Sequence, residues 1–105
     1  MDIVTEKKAE NILLLDVREV AVFTDFFIIC SATSERQVEA LRSAIREETK
    51  AALRVVPLNV EGEASSGWVL MDYGSVIVHL FSPEVRAYYN LEGLWRDGRV
   101  IVRIQ

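Results

Sequence analysis

The sequence predicts an α/β fold of the α+β kind, a mixed sheet of about five strands with helices packed on it. The element order is one reason: βαβ first, then a hairpin, then a helix. Composition is another, because 105 residues that are 50% apolar and 27% charged suit a single globular domain over 1–105. Size scaling gives the third. A folded surface of roughly 6,000 Å² against roughly 17,000 Å² unfolded buries about 65%, enough for a two-layer core without metal or disulfide support.

The elements follow in order. Asn11 to Val17 is rich in Leu, Ile and Val and predicts a largely buried strand. Irregular residues Arg18 to Thr24 lead to a second buried strand, Asp25 to Ala32. Ser34-Glu35-Arg36-Gln37 then fits a capping box, in which Ser34 and Gln37 satisfy backbone donors at a helix start. Val38, Leu41, Ile45 and Ala52 recur at helical spacing, and the helix should end near Arg54. Pro57 opens a short strand, Leu58 to Glu61, and residues 62–67 form a loop. Trp68 to Tyr73 and Ser75 to Phe81 flank Gly74 as a tight hairpin. Ser82-Pro83-Glu84 supplies an N-cap, a first-turn proline and a carboxylate for the helix dipole. Val85, Tyr88 and Tyr89 give that short helix its apolar side, and Asn90 interrupts it before a turn holding Leu91, Leu94 and Trp95. After Asp97-Gly98, the residues Val100, Val102 and Ile104 suit either an edge strand or a docked tail.

The start, Met1 to Glu6, lacks a leader's basic region, and runs such as Phe26 to Cys30 are too short to cross a bilayer. A cytoplasmic protein without a membrane partner is expected. One cysteine, Cys30, and one histidine, His79, exclude an intrachain disulfide framework and a Cys/His zinc site.

The net charge is −4, and its distribution is uneven. Residues 61–97 hold six acids (Glu61, Glu63, Asp72, Glu84, Glu92, Asp97) against two bases, Arg86 and Arg96. Nucleic-acid binding needs a basic stripe that displaces counterions, and the sequence shows none. An acidic face suits a basic protein partner, or is simply a solvated surface.

Catalytic patterns are missing too. The five glycines form neither G-x-G-x-x-G nor a phosphate loop. Ser31, Thr33 and Ser34 lack the glycines of a nucleophile elbow and suit a strand end with a helix cap. Asp16, Asp25 and Asp72 are single acids, so no carboxylate pair for metal or acid–base chemistry is present. His79 shares a strand face with Ile77 and Phe81 and suits a half-buried, hydrogen-bonded role. Cys30 suits a small core residue. No cofactor is expected. Trp68 and Tyr73, flanking Asp72, belong either to the core or to a protein-binding hot spot.

These residues carry a resemblance. Asp25-Phe26-Phe27-Ile28-Ile29-Cys30-Ser31-Ala32-Thr33-Ser34-Glu35-Arg36-Gln37-Val38 resembles D-[YFC]-h-h-I-x-[ST]-[GA]-T-S-x-R-[QH]-V of the ribosomal silencing factor (RsfS, or Iojap) family. Val60-Glu61-Gly62, the block from Trp68 to Gly74, Val76 to Phe81 and Glu84 to Trp95 follow in that family's order. The likeness covers roughly residues 9–96 and leaves 97–105 as a tail without an assigned role.

The resemblance implies a nucleotidyltransferase-like fold used without catalysis. Such a protein would bind the large ribosomal subunit through ribosomal protein L-fourteen, with little direct RNA contact. It would block the small subunit sterically and lower translation when nutrients are scarce. The implied protein contact is Trp68, Asp72 and Tyr73, with Met71 and Gly74 shaping the turn. Arg86 and Tyr88 on the next helix are the second candidates. A competing reading is a nucleotidyltransferase-like enzyme that still binds nucleotide. A third is a homodimeric scaffold that needs no ribosome.

Overall fold

The computed structural model describes residues 9–104; residues 1–8, where no leader is expected, and residue 105 lie outside it. In chain order come β1 (Glu10–Asp16), β2 (Phe26–Ser31), α1 (Glu35–Leu53), β3 (Asn59–Glu61) and a 3₁₀ turn (Ala64–Ser66). Then follow β4 (Trp68–Asp72), β5 (Val76–Phe81), α2 (Pro83–Tyr89), α3 (Leu91–Leu94) and β6 (Arg99–Ile104). The strands join in one sheet of order β3-β4-β5-β2-β1-β6. Among the described residues only β2 and β5 run parallel, and the other neighbours are antiparallel. The mixed sheet is therefore as expected, with six strands rather than about five. The extra strand is the tail, which takes the edge position by pairing along β1.

The sheet is packed on both faces. On one, Val38, Leu41 and Ile45 of α1 meet Ile12, Cys30, Val69, Met71, Val78 and Leu80. On the other, Leu13, Leu15, Phe27, Ile29, Ile77 and Phe81 are covered by Val85, Leu91 and Trp95. Period-two alternation sends successive side chains of each strand to these two layers.

α1 begins as its cap residues require. Ser34 Oγ accepts from the Gln37 N–H at 3.1 Å, and Gln37 Oε1 accepts from the Thr33 N–H at 2.7 Å. It ends at Arg54, whose left-handed backbone (φ 57°) closes the last turn onto Lys50. Ala52, expected on the buried face, is exposed instead. By Thr49 the helix has reached the end of β4, so its final turn runs past the sheet.

α2 starts at Ser82, whose Oγ accepts from the Val85 N–H at 3.3 Å, with Pro83 in the first turn. Val85 and Arg86 face the sheet, whereas Tyr88 is 82% exposed. That corrects the expectation that Tyr88 belongs to the packed side. A seven-residue helix offers few inward positions, and here they are taken by Val85 and Arg86. Asn90 (φ 48°) ends α2, and its Oδ1 accepts from the Gly93 N–H to start α3.

Candidate protein interface

The hairpin turn is built locally. Gly74 adopts φ 89°, which a side chain would oppose, and Asp72 Oδ1 accepts from the Gly74 N–H at 2.8 Å. Tyr73 N–H donates to the Val76 carbonyl at 2.9 Å, closing the loop. This turn fixes the β4–β5 register, in which Trp68 lies opposite Phe81 and Leu70 opposite His79.

The expected contact residues do not form one patch. Met71 is fully buried between β4 and α1, so it cannot touch a partner and supports the strand from within. Tyr73 faces the α1 side, where its hydroxyl lies 2.9 Å from Thr49 Oγ1. Thr49 has one hydroxyl proton, already given to the Ile45 carbonyl at 2.7 Å, so Tyr73 is the donor in this bond. Trp68 points to the opposite face, toward α2. About 16 Å of strand separates it from Tyr73 at the usual rise of ~3.3 Å per residue.

Trp68 is half-buried, so it packs into this layer while part of its ring stays accessible. Its ring stacks on Phe81 with centroids 5.0 Å apart and lies 4.9 Å from the ring of Tyr89. Its Nε1–H donates to His79 Nδ1 at 3.2 Å. Around its open side runs a groove of about 340 Å³ lined by Glu61, Ser66, Trp68, Leu70, Val85 and Tyr89. Leu70 and Tyr89 were not expected there. Leu70 could have been found two residues from Trp68 on the same strand face, and Tyr89 one helical turn after Val85. A partner gripping this groove would meet an apolar floor with a carboxylate on its rim.

His79 is more deeply buried than expected, at 3% exposure. Burial lowers its pKa to about 4, so the ring is neutral near pH 7 with Nδ1 free to accept. Cys30 is buried as expected, and burial pushes its thiol up to about 12. It is not a reactive thiolate at neutral pH.

Arg86 turns inward. Its Nε donates to Glu92 Oε1 at 2.7 Å, and its Nη1 donates to the Asn11 carbonyl at 2.7 Å and to Ser31 Oγ at 2.9 Å. With a side chain 11% exposed, it straps α2 and α3 to β1 and β2 rather than offering a charge outward. Of the second pair of candidates, Tyr88 alone stands on the surface, edge-on to Tyr89 at 5.1 Å.

A second cleft, of about 490 Å³, lies where α1 and α2 begin, beside Ser34, Ser66, Gly67 and Ser82. Helix starts attract phosphate, but Glu35 and Glu84 occupy these first turns. Their carboxylates complement both dipoles and would repel a nucleotide's phosphates.

The family described as "Ribosomal silencing factor during starvation" matches residues 1–105, extending through the tail. The chain belongs to the RsfS family. It is 38% identical over 98 residues to the ribosomal silencing factor RsfS of Halalkalibacterium halodurans, covering 93% of this chain and 83% of that protein. Against RsfS of Bacillus subtilis the identity is 40% over 94 residues, covering 89% and 78%. A crystal structure of a Chromobacterium violaceum protein is similar with a TM-score of 0.85 at 33% identity, covering 99% of this chain and 85% of the other. The Chromobacterium protein shares the fold described above, and the two RsfS proteins are named for silencing the ribosome, a regulatory rather than an enzymatic role. No helix among the described residues is long and apolar enough to cross a membrane.

Proposed function

We propose that this RsfS-family chain represses translation in the cytoplasm when nutrients are scarce. It binds the large ribosomal subunit through ribosomal protein L-fourteen and occupies space the small subunit needs. The groove beside Trp68 carries this reading: two aromatic rings and Leu70 are presented beside Glu61. Aromatic anchors beside a carboxylate suit a basic protein surface. The acidic stretch 61–97 supports the same partner and little RNA contact, since its Arg86 is neutralised internally by Glu92. Asp72, Tyr73 and Gly74, at the far end of β4 and apart from the groove, would make a separate second contact. Sedimentation with purified large subunits tests the binding. For the steric step, translation should fall strongly when the protein precedes subunit joining and weakly afterwards. Equal inhibition of preassembled ribosomes would overturn it.

A further inference from the structure

His79 is an expensive residue for its place. It lies inside an aromatic layer, T-shaped to Phe27 at 5.1 Å and stacked over Phe81 at 6.0 Å. A tryptophan indole can only donate, so the 3.2 Å contact from Trp68 Nε1 requires an unprotonated Nδ1. The proton of the neutral ring therefore sits on Nε2, which is buried without a hydrogen-bond partner. Leaving a buried polar atom unpaired is unfavourable, and a leucine would fill this layer without that cost. What only the histidine supplies is the acceptor for Trp68.

We infer that His79 is the positioning residue of the interface, holding the Trp68 indole in the orientation in which it faces the groove. An indole on a β-strand has two rotatable bonds, and ring stacking alone tolerates sliding and flipping. The bond to Nδ1 fixes which edge points inward, while the ring stays beside Tyr89 and Leu70 along the groove. Binding then needs no ordering of this ring, which is where preorganisation adds affinity. The inference rests on the proposed docking at the groove, but its first step is a property of the free protein.

The test uses the full chain labelled with ¹⁵N, with Trp68→Phe to assign the Trp68 indole signal. The wild-type protein should show a scalar coupling between Trp68 Nε1 and His79 Nδ1 across the hydrogen bond. In His79→Leu the indole signal should move to an unbonded position and the ring should become mobile, with large-subunit binding weakened about ten-fold. His79→Asn places an acceptor oxygen at the same distance along the side chain and should restore most of both effects. A missing coupling in the wild type overturns the inference even if His79→Leu fails to fold. So does an indole released in His79→Leu without loss of binding. Failure of the wild-type protein to bind subunits would instead sink the proposed docking, while the coupling would still decide whether His79 holds Trp68.

Discussion

The Tyr73 hydroxyl donates to Thr49 Oγ1 at 2.9 Å, tying the end of β4 to α1, while Trp68 leaves the same strand on its other face. The two aromatics thus report on different layers of the protein. Tyr73→Phe removes only the hydroxyl bond and should cost about 1 kcal/mol of stability. Urea unfolding should show a lower midpoint with an unchanged slope.

Trp68→Ala should weaken large-subunit binding by about 2 kcal/mol, roughly 30-fold, as expected of an aromatic anchor. Its packing on Phe81 means that stability falls as well. Melting temperature and cosedimentation measured on the same preparations separate the effects. A folded Trp68→Ala protein that binds like wild type would remove this groove from the interface.

Arg86→Ala should destabilise the fold by about 2–3 kcal/mol, because it leaves Glu92, Ser31 and the Asn11 carbonyl without their common donor. Arg86→Lys should recover little, since an ammonium lacks the planar fork that reaches several acceptors at once. Denaturant midpoints of the two variants would settle this, and a wild-type midpoint for Arg86→Ala would refute the strap.

Acid should lower the stability of the fold in two successive pH windows. His79 goes from 6.5 in the unfolded chain to about 4 in the fold, so between these values the unfolded state binds the extra proton. Stability is therefore full above about pH 6.5 and falls toward pH 4, by on the order of 3 kcal/mol in total. Asp16 runs lower: hydrogen bonds from Arg18 hold its carboxyl at about 2, so its contribution is lost only as pH falls from 3.8 toward 2. In His79→Asn the upper window should vanish and the lower one remain. Unfolding free energies at a series of pH values would reveal it.

The glycines should differ in tolerance. At Gly74 an added Cβ meets only Leu58 Cδ1 at 3.4 Å, so Gly74→Asn, which accepts positive φ, should cost under about 1 kcal/mol. At Gly67 (φ 80°) it would come within 2.6 Å of Val85 Cγ2 and 2.7 Å of Ser82 Oγ. Gly67→Ala should therefore push α2 from its seat and lower the melting temperature far more. Thermal denaturation of the pair makes the comparison.

Much of this was legible because it is set by near neighbours. Ser34 and Ser82 cap the helices that follow them, and Gly74 makes the turn between the strands it joins. Even the separation of Trp68 from Tyr73 was available: an odd offset of five residues on a strand puts two side chains on opposite faces. Grouping them by closeness in sequence concealed it. Met71 follows the same rule, since its even offset from Val69 and Tyr73 places it beneath α1.

By itself, the sequence determined where each α-helix begins and which strand faces are apolar, because these depend on contacts within a few residues. The β4–β5 register came from the structure, which puts Ser75 in the turn with Gly74 so that Tyr73 meets Val76. Only the tertiary structure decided that the tail pairs with β1 and that Arg86, at a helix surface by periodicity, reaches Asn11 across 75 positions of chain. It also decided that Trp68 meets Tyr89 to form a groove. Such partners are chosen by which surfaces remain unburied once the sheet has closed, and local spacing carries no record of that competition.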